Sequence, residues 1–279
     1  MSDKIRIDYN PFTPFNIFKW AIYFLLMVNV YVFFQEDKSA SAILFPGGMA
    51  LGDIIVGFAA SIDTAAWVLL ILLFELETYI LPDELLVGRT KNIIHSLRIL
   101  FYVVIIYSFY GYLGAYLALF EFSEVEPVVL CSLVDGVNTF MTTQDEYELL
   151  TMENCASISQ SSTLYAHGNE AIYANAETFA EASGLGLIDV INSGVWLLIC
   201  FVLELDVRLE LKGLLEGRKL FVSNLTKLVL YAILLVCAVY WGINGEFVDF
   251  WDAFLWILAF AAIEMNMFQW HQEEKPSAT

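Results

Sequence analysis

Basic residues are scarce in this chain. Its 279 residues include 13 Lys and Arg against 32 Asp and Glu, a formal net charge of −19. Between Arg98 and Arg208 there is no Lys or Arg at all. A surface so poor in positive charge repels nucleic acid and anionic lipid headgroups and concentrates cations. Nucleic acid is therefore excluded as a partner. Histidine is confined to His95, His167 and His271, scattered through the sequence, and the four cysteines form neither a CxxC pair nor a Cys/His set with metal-ligand spacing. There is no Gly-rich phosphate loop, no HExxH and no Gly-x-Ser-x-Gly elbow. No catalytic residue, cofactor or metal site is expected, and the chain does not read as an enzyme.

Charge of either sign is also low. Charged residues make up 16% of the chain and hydrophobic residues 59%, against about 25% and 45–50% in soluble domains. Mean hydropathy is +0.66. This much apolar surface exceeds what a soluble fold hides, so the composition describes an integral protein of the lipid bilayer. Six apolar stretches reach the length of about 20 residues that a span needs: 14–34, 61–81, 92–120, 189–209, 220–243 and 247–268. The segment 43–60 is apolar but interrupted by Pro46, Gly47, Gly48 and Gly52, and reads as an interfacial or re-entrant piece.

Orientation follows the basic residues. Lys4, Arg6 and Lys19 sit at or before the first span, Arg89 and Lys91 between the second and third, and Arg208, Lys212, Arg218 and Lys219 around the link from the fourth to the fifth. Both termini, including the tail 271–279, should face the cytoplasm of a bacterial inner or plasma membrane. The acidic segment 121–188 then lies outside, where Cys131 and Cys155 can close a disulfide contributing roughly 3 kcal/mol. Within it, 164–182 reads as an amphipathic helix lying over the bundle. Residues 20–34 with Ala40-Ser41-Ala42 also resemble a signal peptide, but Glu36, Asp37 and Lys38 just before that site argue for retention.

One spacing recurs three times. Asp63-x3-Trp67-x7-Glu75-x-Glu77 matches Asn192-x3-Trp196-x7-Glu204-x-Asp206 and Asp252-x3-Trp256-x7-Glu264-x-Asn266. The second and third spans align without gaps on the fourth and fifth, with identities that include Gly88/Gly217 and Tyr102/Tyr231. A second pattern, His95-x2-Arg98-x3-Tyr102, recurs as Asn224-x2-Lys227-x3-Tyr231 and Asn16-x2-Lys19-x3-Tyr23. The first span is thus the missing partner of the sixth. The expected fold is all-α: six transmembrane helices, residues 1–120 and 189–270, forming a pseudo-threefold bundle of three helical hairpins.

Equal distances from the hairpin turns place an acid opposite a base at one depth: Glu75 with Arg98, Glu204 with Lys227, and Glu264 with Lys19. Ionisable groups inside a membrane are expensive and point to a role. In one account these pairs simply pin helix to helix, because burying either charge alone costs several kcal/mol. In the other, the surplus oxygens form ion-binding levels. Glu77, Asp206 and Asn266 would join Glu75, Glu204 and Glu264 at the inner level. Asp63, Asn192 and Asp252 would form a polar ring about 18 Å away, at about 1.5 Å per residue. All-oxygen sites suit a small cation or a proton. The function expected is therefore cation or proton passage. The alternative is a scaffold or accessory subunit that binds partner membrane subunits. The three Trp read as interface anchors or as packing, anchoring being the commoner use, and Gly111 and Gly114 read as points of close helix contact.

Overall fold

The computed structural model describes residues 13–273 apart from 46, 78–80, 82–84, 86, 126–129, 135–136, 145, 159–162, 169–170 and 211; side chains at 207, 210 and 261–273 are likewise outside the description. Helix dominates. The first helix, α1 (Pro14–Leu44), starts where Thr13 accepts the Asn16 N–H at 3.2 Å and Pro14 takes the first helical position. It runs unbroken through Ala40, Ser41 and Ala42. A short helix, α2 (Leu51–Gly57), then bends by 78° into α3 (Ala59–Glu75). The interrupted segment 43–60 thus contains one arm of a bent helix pair, a broken span or a re-entrant loop. Its bend is held from α1. Asp37 accepts the Ser61 N–H at 3.0 Å, capping α3 from a neighbouring helix, and Ser41 donates to the Gly57 carbonyl at 3.2 Å.

The next helix, α4 (Gly88–Ala118), crosses α2 at Gly111. A Cβ there would stand 2.7 Å from the Ile55 carbonyl oxygen and 3.0 Å from Ala59 Cβ, so the expected close contact is real and only glycine fits it. The later helices are α6 (Ala176–Glu210), α7 (Gly217–Asn244) and α8 (Phe247–Glu273). Both Gly88 and Gly217 have left-handed φ, +56° and +53°, after an extended Val87 and Glu216. The repeated glycine marks a repeated turn geometry.

Contacts run in a ring: α1 against α3, α3 against α4, α4 against α6, α6 against α7, α7 against α8, and α8 back to α1. First and last helices are neighbours, as the offset of the two sequence patterns requires. The core inside the ring includes Tyr23, Leu26, Trp67, Ile71, Trp196, Ile199, Leu234, Leu255 and Trp256. Outward-facing Leu228, Val229, Leu235 and Val236 are exposed, which is compatible with lipid. Among the described residues, four helical stretches are long and apolar enough to cross a bilayer: Pro14–Leu44, Gly88–Glu121, Ala176–Asp206 and Gly217–Asn244. The bent pair makes up to five. The sixth expected span, 247–268, lies in α8, part of whose side chains fall outside the described residues.

The all-α expectation fails between 121 and 188. Strands β1 (Phe122–Val125), β2 (Thr139–Met141), β3 (Tyr147–Leu149), β4 (Leu164–His167) and β5 (Ile172–Asn175), with the single helical turn α5 (Cys155–Ile158), form a sheet in the order β1-β4-β5-β2-β3. Only β2 and β5 pair parallel. The helix expected over 164–182 is instead the β4–β5 pair followed by the start of α6. Along β5, Ile172 and Ala174 are buried while Tyr173 and Asn175 between them are not, the period of two of a strand, and Leu164 of β4 is buried as well. Asn175 then caps α6, accepting the Thr178 N–H at 2.8 Å. The Cys131–Cys155 disulfide is formed and joins a small core of Leu130, Phe140, Leu150 and Leu164.

Candidate functional site

The charged level near the helix turns is fully engaged where it is described. Lys19 Nζ meets Glu75 Oε2 at 2.8 Å, and the Tyr23 hydroxyl donates to Glu75 Oε1 at 2.9 Å. Arg98 pairs with Glu77. Lys227 binds Asp206 at 2.9 Å, and Ser223 donates to the same oxygen at 2.5 Å. Glu204 is exposed and pairs with Arg208 one turn along α6 at 2.9 Å. The expected partners Glu75 with Arg98 and Glu204 with Lys227 are therefore corrected. Depth was right, but acids two positions apart on a helix point about 200° apart. On α3, Glu77 faces the hairpin partner α4 while Glu75 faces α1; on α6, Asp206 faces α7 while Glu204 is exposed. In each described hairpin the second acid, Glu77 or Asp206, takes the partner's base. The side chains of Glu264 and Asn266 lie outside the described residues.

The ring at the sheet end of the bundle does converge. A partly enclosed cavity of about 70 Å³ is lined by Asp63, Asn192 and Asp252, above Trp67, Trp196 and Trp256. Ring centroids of Trp67 lie 6.0 Å from Trp196 and 6.1 Å from Trp256. Phe260 packs on Trp196 at 4.7 Å. The three indoles are buried and form an aromatic floor, so of the two uses expected they serve as packing. The Asp-x3-Trp spacing explains the arrangement. Four residues make about one turn, so Asp63 and Asp252 each share a face with their own indole, Trp67 and Trp256.

The remaining lining was missed by reasoning from the sequence, although the repeat register contained it. Asp189 and Asp249 occupy the position of Ala60, one turn before Asp63, and all three line the cavity. Phe33, Tyr112 and Trp241, which the recurring spacing aligns on α1, α4 and α7, line it too. Four carboxylates thus share one small space whose described lining holds no Lys or Arg. Asp252 accepts from Asn29, itself buried, at 2.9 Å. Asp189 accepts from Trp241 at 3.2 Å and from Gln144 of the sheet subdomain at 2.7 Å. Asp63 Oδ1 and Asn192 Oδ1 are shielded from solvent and have no hydrogen-bond partner.

Chemically the cavity is an electronegative, aromatic-walled chamber that can accept hydrogen bonds and stabilise positive charge. Among the described residues no three His, Cys, Asp or Glu side chains come together as a chelating set. Outside the bundle, Glu246 in the α7–α8 link has its carboxyl pushed above the usual range by burial and by Glu146 and Glu181. The chain matches no protein-family model, no curated protein and no solved structure.

Proposed function

We propose that this chain is a multi-pass membrane protein of a bacterial inner or plasma membrane that takes a small cation or proton into the carboxylate chamber from the sheet side. In this account six spans form three hairpins around a pseudo-threefold axis. Both termini are cytoplasmic, and the sheet subdomain stands outside. The observation that carries the reading is the chamber itself, where four carboxylates and an aromatic floor meet with no basic residue among the described lining. Support for the axis comes from the lining, in which matched positions of the repeat recur: Phe33/Tyr112/Trp241, Ala60/Asp189/Asp249, Asp63/Asn192/Asp252 and Trp67/Trp196/Trp256.

The ion-binding role moves from the inner acids to the outer ring. Glu75, Glu77 and Asp206 hold helices together, while Asp63, Asp189, Asp249 and Asp252 face the chamber. The test is flux of protons, sodium, potassium and ammonium into liposomes carrying the full chain. Loss of flux in Asp63→Asn with Asp252→Asn, and its persistence in Glu77→Gln, is the expected result. Unchanged flux in the double variant would end the proposal.

A second reading, a non-transporting scaffold for partner membrane subunits, is favoured by the floor. Trp67, Trp196, Trp256 and Phe260 separate the chamber from the charged level. Absence of flux for every ion, with co-purification of stoichiometric partner subunits, would favour it.

A further inference from the structure

We infer that the chamber takes a small ammonium ion, such as ammonium itself or methylammonium, held by Asp63 and Asn192 over the indole floor. The inference rests on the cation-binding reading above and names the ligand class. Both orphaned atoms, Asp63 Oδ1 and Asn192 Oδ1, are hydrogen-bond acceptors buried beside the chamber. Buried acceptors left unpaired are rare, and each calls for a donor. The occupant must therefore donate hydrogen bonds.

It must also carry positive charge. Water would satisfy the two acceptors but leave the Asp63 carboxylate without a countercharge in a medium of low dielectric. A proton would neutralise a carboxylate yet leave the Asn192 oxygen unpaired and the space unfilled. A bare metal cation requires several oxygen ligands at once, and among the described residues no three His, Cys, Asp or Glu side chains are placed to hold one. An ammonium ion meets all the demands. Its N–H groups satisfy the acceptors, its charge balances an aspartate, and indole faces attract it without supplying lone pairs.

Size limits the class. An apolar cavity of about 150 Å³ holds benzene, so the 70 Å³ available here admits roughly three heavy atoms. Bulky quaternary amines are excluded by volume.

The experiment measures saturable binding of radiolabelled methylammonium to the full chain in nanodiscs. Ammonium, sodium, potassium and tetramethylammonium chlorides serve as competitors. Ammonium should displace the label, and equal concentrations of the other three should not. Asp63→Asn and Asn192→Leu should each weaken binding by about tenfold or more, the usual consequence of losing a buried hydrogen bond to a charged group. Arg208→Gln, at the far end of the bundle, should bind as the wild type does. Retention of the Cys131–Cys155 disulfide and a monodisperse elution profile check folding. If Asp63→Asn fails those checks, Asn192→Leu carries the test alone. Displacement by sodium or potassium as effective as by ammonium would overturn the ammonium assignment, as would wild-type binding in a folded variant. If methylammonium does not bind while proton or alkali-cation flux persists, the ligand class is wrong and the chamber reading stands. If neither binding nor flux occurs, both are wrong.

Discussion

Glu75 on α3 is held by α1 at both of its oxygens, by Lys19 at 2.8 Å and by the Tyr23 hydroxyl at 2.9 Å, and all three residues are 1% exposed. The Lys-x3-Tyr stripe of the first span is therefore a clamp that docks α1 on the neighbouring hairpin. Without Lys19, the buried Glu75 carboxylate would lose its countercharge.

Lys19→Met should accordingly be severe. Breaking a buried ion pair from one side costs about 3–5 kcal/mol, because the other charge stays buried. The double variant Lys19→Met/Glu75→Leu should recover much of that loss, since it removes the stranded carboxylate as well. Unfolding midpoints in detergent for the two singles and the double check this. Additive losses would show that the two residues act separately.

Gly111 offers a test of the broken helix. The Ile55 carbonyl stands where its Cβ would lie, so Gly111→Val must push α2 away from α4. A loss of about 1–3 kcal/mol is expected, the usual range for an overpacked contact. Gly114→Ala should be mild, because its added carbon would meet only Val56 Cγ2 at 3.6 Å. Thermal unfolding of both variants gives the comparison.

The sequence carried the architecture further than it carried the charges. Spacings that recur between the spans, such as Gly88 with Gly217 and Trp67 with Trp196, let the neighbour relation of α1 and α8 be read. Which acid meets which base could not, because depth is a property of chain distance while facing depends on the angle around each helix. Glu75 and Glu77 share a depth and look in opposite directions. The chamber was half visible. Asp63 and Asp252 announced themselves, whereas Asp189 was hidden by its counterpart Ala60, which breaks the pattern. The sheet was missed for a different reason. The alanine- and glutamate-rich composition around 164–182 favours helix, and pairing with β1 and β2, distant in sequence, overrides that preference.

The disulfide should stabilise the sheet subdomain and leave the bundle alone. Cys131 and Cys155 are 24 residues apart, a closure that contributes roughly 3 kcal/mol by chain entropy. Cys131→Ser/Cys155→Ser should raise amide exchange in β2, β4 and β5 and spare the interior around Tyr23 and Leu26. Equal loss of protection in both regions would mean the two parts unfold as one.

Glu246 makes the stability of the α7–α8 link depend on pH. Its carboxyl holds a proton more tightly in the folded state, through burial and the repulsion of Glu146 and Glu181, with Glu36 also nearby. The folded state then binds more protons than the unfolded one, so stability rises as pH falls from neutral through the raised value towards the ordinary 4.5. It is lost again in the alkaline direction. Glu246→Gln should stabilise the protein at pH 7 and flatten that slope. Midpoints measured from pH 5 to about 8 check the sign.

Asp63 and Asn29 should respond in opposite directions, and the contrast separates a binding chamber from an ordinary core. Asn29 is 4% exposed and donates to Asp252 at 2.9 Å. Asn29→Ala strands that carboxylate and should cost about 1–3 kcal/mol. Asp63 has an oxygen with no partner, so the folded protein carries an unpaid desolvation penalty at that site. Asp63→Asn keeps the shape and removes the charge, and should raise the unfolding midpoint. A residue that weakens the fold persists where function needs it. Methylammonium should then stabilise the wild type more than Asp63→Asn, because a ligand stabilises the state it binds in proportion to its affinity. The gap between the two midpoints should close as methylammonium is added. A gap that stays constant would mean that Asp63 is strained for some reason other than cation binding.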